Sequence, residues 1–351
     1  MKLSVLDQSI VPEGSTPATA LHNSLDLARR ADGLGYHRYW LAEHHATPSF
    51  AGPAPEIMVA RVAAETRRIR VGSGGVLLPY YSPLKVAETF RVLSALSPGR
   101  IDLGLGRGVG AGSIEAHALS SGPSAAGGEV GFTGKLAELL AFLHGGFPAG
   151  HPYRPIEIMP AAGAPEIWLL VASPGSAEAA GRLGLPICIA HFGRPQITRT
   201  VVEAYRGAFD ARGGSRPRVQ IGIGVYCGPT EDEAQRVFAS QRLFRLRMGR
   251  GLLLPLPSPE AALDGLRGEV EPLADEEAEW PRCVVGDPDH VHKVLTSMTE
   301  ELEADEFMVL STIHAPRDRV RSYELLAHRF GLTAEGGDEG AGEGVGRTPP
   351  P

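Results

Sequence analysis

Cysteine is scarce in this 351-residue chain: Cys188, Cys227 and Cys283 are far apart and odd in number. No pair has CxxC spacing, so they make neither a disulfide framework nor a cysteine metal site. Cys188, within "LPICIAHF", reads as a small core hydrophobe. Lysine is also rare, and no Lys/Arg-rich stripe interrupts a net charge of −7. The electrostatic footprint of a nucleic-acid binder is therefore missing. No run of about 18 uninterrupted apolar residues exists to span a membrane. The start, "MKLSVLDQSIVPEG", has one lysine and too short an apolar run for a signal peptide. These absences lead to the expectation of a soluble, cytoplasmic protein.

What is present is alternation. "KLSVLDQS", "HRYWLAEH", "IRVGSGGVLLP", "RIDLGLGRG", "PEIWLLVAS", "PICIAHF", "VQIGIGVYC" and "DEFMVLST" read as eight strands separated by helical stretches. The first helix shows the logic. Ser15, Thr16 and Pro17 open it as a cap and first-turn proline, and Gly33 and Gly35 stop it. Leu21, Leu25, Ala28 and Ala31 share one face between these ends. Strands that are apolar almost throughout belong to a parallel sheet with its outer face covered. An open doubly wound sheet is the rival. Eight units, this length and no halfway linker favour an α/β, (β/α)8 TIM barrel, a single domain over residues 1–332. Residues 333–351, rich in Gly, Glu and Pro, are expected to be a disordered tail. Two connections are long: residues 109–128 after strand four, and an irregular insertion at about 250–281 before strand eight.

A barrel of this type builds its site from loops at the C-terminal ends of the strands. Asp7, Gln8 and Ser9 lie there on strand one, and Glu43, His44 and His45 on strand two. Gly74 and Gly75, Arg107, Ser173 and Ser176, His191 and His314 follow on later strands. The histidines suggest a metal, but adjacent strand residues point to opposite faces and neither HxH nor HExxH occurs, so no metal is expected. "GLGRGVG" puts Val109 where a dinucleotide fingerprint needs its third glycine, and a Rossmann reading is rejected. Arg107 among glycines, beside a helix opening with Ser173 and Ser176, suits an anion such as phosphate. The serines could equally be a plain helix cap. Gly74-Gly75 inside an apolar strand marks either a close ligand approach or a strand tolerating small residues.

The stretches "GYHRYWLAEHH", "RIRVGSGGVLLPYYSPLKVAETFRVLSALSPGRIDLGLGRG", "ASPGSAEAAGRLGLPI" and "VVGDPDHVHKVLTSMTEELEADEFMVLSTIH" together resemble the bacterial luciferase-like flavin-dependent monooxygenases. The resemblance implies an enzyme that uses reduced FMN and O2, via a C4a-(hydro)peroxide, to oxygenate a hydrophobic substrate such as an aldehyde or polyketide. It implies that Arg107, Ser173 and Ser176 hold the FMN phosphate, and that Gly74-Gly75 is a non-prolyl cis peptide under the flavin. His44 takes the place of the catalytic histidine, with Glu43 and His45 beside it. A structural role for the triplet, holding neighbouring loops, is the alternative. Ala172 stands where some members carry an acidic residue, which leaves flavin contacts there open. A separate NAD(P)H-dependent flavin reductase, a homodimer and a tailoring step in antibiotic biosynthesis complete the expectation. An F420-dependent hydride transferase and a non-catalytic flavin-binding accessory protein are the competing readings.

Overall fold

The computed structural model describes the chain except residues 109–112, 121–128, 162, 212–213, 270–277 and 335–351. Much of the long loop after strand four, part of the insertion and nearly all of the tail thus lie outside the described residues. The strands are β1 (Lys2–Asp7), β2 (Arg38–Leu41), β3 (Arg70–Leu77), β4 (Ile101–Gly106), β5 (Glu166–Val171), β6 (Ile187–Ile189), β7 (Val219–Cys227), β8 (Cys283–Gly286) and β9 (Glu306–Leu310).

All pairings between these strands are parallel. β1 to β7 pair in sequence, β7 pairs β9, and β9 pairs β1, which closes an eight-stranded barrel. The expected fold class is therefore present, with one addition. β8, just after the stretch expected to be irregular, pairs only with Gly224–Cys227, where β7 outruns the short β6 on that edge. A nine-residue β7 has room for two partners on one edge, one after the other.

Local rules account for the outer layer. Thr16 caps the helix Pro17–Leu34 by accepting from the Thr19 N–H at 3.1 Å, and Gly35 ends it with φ 88°. Leu25, Ala28 and Ala31 are buried on its inner face, as the spacing predicts. In the helix Pro83–Leu96 the buried face includes Val86, Phe90 and Leu93. The N-terminal mouth of the barrel is plugged by charge. Arg38 donates to Asp102 and Glu166, each at 2.7 Å, and to Glu306 at 3.1 Å. Inside the barrel, Trp40 and Trp168 meet edge to face at 5.7 Å beside Cys188 and Met308. Packed side chains thus fill the lower barrel, and an open site is confined to the upper face.

Candidate active site

The strands deliver the candidate residues to that upper, C-terminal face. Glu43, His44 and His45 follow β2, Arg107 follows β4, and Ser173 lies just beyond β5. Gly74 and Gly75 sit near the end of β3, and the bond between them is cis. β3 and β4 approach closely there: a Cβ on Gly75 would lie 2.6 Å from the Gly104 carbonyl oxygen. No other residue type fits that contact.

The three residues of the EHH triplet differ in surroundings. Glu43 is buried and fully engaged. It accepts from the Leu77 N–H at 3.0 Å, the Tyr81 hydroxyl at 2.9 Å and His45 Nε2 at 2.6 Å. Burial pushes its carboxyl upward, and the three donors pull it back only in part. Its geometry is that of a brace tying the β2 end to the β3 end and orienting His45. His44 points elsewhere. Its ring stacks on Phe50 with centroids 4.2 Å apart, and its buried Nδ1 has no hydrogen-bond partner among the described residues. Burial, and then the neighbouring His45, push its pKa down to about 4. At neutral pH His44 is therefore held as the neutral imidazole.

A cavity of about 590 Å³ opens beside it, within the usual range for small-molecule sites. His44, His45 and Gln8 line one side. Phe50, Phe192 and Phe244 supply apolar wall. Glu115, from the helix Ser113–Ser120 within the long connection after β4, and Leu253, from the insertion, also reach it. Most of the far wall was not anticipated: Gln241, Phe244, Arg245 and Met248 come from the helix Glu231–Gly249 after β7. Their spacing over two turns was the available signal, since two polar residues recur there on the same face as an aromatic.

Gly74, Gly75, Arg107, Ser173 and Ser176 do not line this cavity. They lie on the β3–β5 side of the mouth, and Arg107 is exposed. Ser173 and Ser176 form a reciprocal capping box at the helix Pro174–Arg182, each backbone N–H bound to the other's hydroxyl at 3.3 Å. The plain-cap role is thus realised in the structure. Three other strand-end residues are structural. Asp7 binds the Tyr39 hydroxyl and Arg319, His191 bridges Thr198 at 2.8 Å and the Pro281 carbonyl at 2.9 Å, and His314 contacts the Glu13 carbonyl. No group of three or more His, Cys, Asp or Glu among the described residues is arranged to hold a metal.

The sequence model of the luciferase-like monooxygenases matches residues 1–305. The chain belongs to that family. It is therefore an oxidoreductase of the monooxygenase type. The N-acetyl-S-alkylcysteine monooxygenase of Bacillus subtilis (strain 168) is 35% identical over 330 residues, covering 93% of this chain and 97% of the relative. The solved structure of apo-MsnO8 is 48% identical with a TM-score of 0.88, covering 95% of this chain and 99% of that one. Two more distant structures share the barrel alone. One is the FMN complex of the oxygenating constituent of 3,6-diketocamphane monooxygenase from Pseudomonas putida, at 19% identity and TM-score 0.69, covering 93% and 96% of the two chains. The other is an F420-dependent secondary alcohol dehydrogenase, at 14% and 0.65, covering 93% and 98%.

The brace role of Glu43 carries a prediction. Glu43→Gln keeps the shape and can still accept from Leu77, but its amide nitrogen cannot accept from both Tyr81 and His45. The variant should lose about 1–3 kcal/mol of stability in urea unfolding. An unchanged midpoint would remove the brace.

Proposed function

We propose that this family member binds reduced FMN at the β3–β5 side of the mouth and oxygenates a hydrophobic organic substrate, aldehyde- or polyketide-like, in the cavity beside His44. The observation that carries the reading is His44, which lines an aromatic-walled cavity with a ring whose buried Nδ1 has no partner among the described residues. Orphaned buried polar atoms call for a function.

The residues present suit the cofactor. Arg107 offers a guanidinium, and the helix Pro174–Arg182 offers its first-turn N–H groups and two serine hydroxyls, a donor set suited to phosphate. The backbone beside them is open, since a Cβ on Gly108 or Gly175 would meet nothing within 4 Å. Gly74-Gly75, at the end of β3, is where a flat ring can approach main chain. When bound, reduced FMN supplies the electrons that activate O2.

The protein's own share is positioning and exclusion of water. Phe50, Phe192 and Phe244 keep the cavity apolar, which strengthens each polar contact made inside it. His44, neutral at physiological pH, lines the cavity with an imidazole able to accept the reacting oxygen's proton in a hydrogen bond. Glu43 acts through others, by holding His45 and the β3 end.

A separate NAD(P)H-dependent reductase, as the family resemblance implies, is the source of reduced FMN in this reading. Ile57, Val92 and Leu96 are exposed on two neighbouring outer helices and support a homodimer.

Anaerobic titration with reduced FMN tests the reading. Wild type should bind it, and Arg107→Ala should weaken binding about tenfold or more, the worth of a charged hydrogen bond. Binding of F420 in place of FMN would sink the FMN assignment, and equal affinity in the variant would sink the role of Arg107.

A further inference from the structure

The far wall of the cavity holds a charge that neither the fold nor the proposed oxygenation accounts for. Arg245 lines the cavity from the middle of the helix Glu231–Gly249, half-buried, and among the described residues no carboxylate lies within ion-pair distance of it. Its neighbours on the helix are differently placed. Arg250 pairs with Glu269 and Arg236 with Glu233, both at the periphery. Arg282, which also lines the cavity, donates to the Phe192 carbonyl at 2.9 Å and to that of Gly193. Glu115 lies on the same lining and still makes no ion pair with Arg245. A half-buried guanidinium in a cavity wall, without a counter-charge among the described residues, is a ready partner for an anionic ligand.

One turn away stands a second unsatisfied group. Gln241, four residues before Arg245 and so on the same helix face, lines the cavity with a buried Oε1 that has no partner among the described residues. Phe244 and Met248 flank these two polar residues, and Phe50 packs edge to face on Phe244 at 5.9 Å. The wall opposite His44 is thus an apolar slot ending in a cation and a hydrogen-bonding amide. Such a slot matches an amphipathic organic anion better than a neutral hydrocarbon or aldehyde.

We propose that the substrate is a hydrophobic carboxylic acid in place of an aldehyde, its apolar body against Phe50, Phe244 and Met248 and its carboxylate held by Arg245. Gln241 accepts from an N–H or O–H next to the carboxylate. This rests on the cavity being the oxygenation site, and it makes Arg245 a specificity-determining residue that orients the reacting end of the substrate towards His44.

Binding tests this apart from catalysis. The full chain is titrated calorimetrically at neutral pH with 4-phenylbutyrate and with its uncharged counterpart 4-phenylbutanamide, first flavin-free and then with oxidised FMN present. The acid should bind about ten- to a hundredfold more tightly than the amide in at least one condition, the range of a charge-assisted hydrogen bond. Arg245→Gln should abolish that preference and leave amide affinity within about twofold, while Arg245→Lys retains part of it. Among the described residues Arg245 has no ion partner to strand, so the glutamine variant should unfold at the wild-type denaturant midpoint. Equal affinity for acid and amide in wild type overturns the proposal, as does a preference that survives Arg245→Gln, or no binding of the acid up to about 10 mM. Loss of reduced-FMN binding in Arg245→Gln would also overturn it, by assigning the guanidinium to the cofactor. Failure of FMN to bind at all, with the acid preference intact, would sink the flavin reading and leave the acid site standing.

Discussion

Arg38→Met should lower the unfolding free energy by about 3–5 kcal/mol, the usual cost of stranding buried charges. Arg38 closes the N-terminal mouth of the barrel, and its guanidinium serves three carboxylates from three different strands: Asp102, Glu166 and Glu306. Asp102 and Glu306 are buried. Their other donors remain in the variant: Arg70 and the Trp40 N–H at 2.9 Å for Asp102, Ser4 and Gln220 for Glu306. Those contacts satisfy lone pairs, yet they leave the cluster short of one positive charge.

Acid sensitivity should change as well. Burial alone would raise the Glu166 carboxyl, but Arg38 and then Arg218 outweigh it and hold it well below the usual carboxylate range. A depressed carboxylate contributes stability that is present above its unfolded pKa and lost as pH falls towards its folded one. Without Arg38 that depression shrinks, so wild type and variant should converge as the pH falls below the unfolded pKa of Glu166. Urea unfolding at neutral and acid pH measures both effects. The exposed pair Arg329–Asp289 is the control, and its disruption should cost no more than about 1 kcal/mol. A loss under about 1 kcal/mol for Arg38→Met would mean the mouth is plugged by packing rather than by charge.

His44→Ala should lower the oxygenation rate about 10²-fold or more and release more hydrogen peroxide per O2 consumed, with reduced-FMN affinity unchanged. The fold should tolerate the change. Nδ1 leaves no partner unsatisfied, and the stack on Phe50 at 4.2 Å accounts for about 0.5–1.5 kcal/mol. Because burial and His45 hold His44 near a pKa of about 4, its titration should leave no inflection in the rate between neutral and mildly alkaline pH. The sign for stability is opposite to that of a histidine that gains an anionic partner. The unfolded chain binds this proton more readily, so stability falls as pH drops from the unfolded value towards 4. His44→Ala should flatten that slope. Turnover within about threefold of wild type would sink the role given to His44, and Glu43 and His45 would then have to be considered as a unit.

Much of the molecule was legible in the residues. Thr16-Pro17 and Gly35 bound the first helix because capping, proline's fixed φ and glycine's left-handed φ act within a few residues of chain. The cis Gly74-Gly75 was foreseen from a resemblance, and the reason for glycine, the Gly104 carbonyl 2.6 Å from the would-be Cβ, is a contact between strands. β8 was missed because "CVVG" is four residues long and its pairing depends on how far β7 extends past β6.

The site divides along the same line. Sequence alone determined the eight alternating units, the helix ends and the set of polar residues at strand ends, since periodicity and capping are short-range properties. Only the tertiary structure decided which of those residues face the cavity. It made Glu43 a brace with three donors and gave His44 a nitrogen without a partner among the described residues and a depressed pKa. It brought Gln241 and Arg245 across from a helix some 200 residues further along. Burial, field and counter-charge are set by atoms distant in the chain, and only closure of the barrel brings them together.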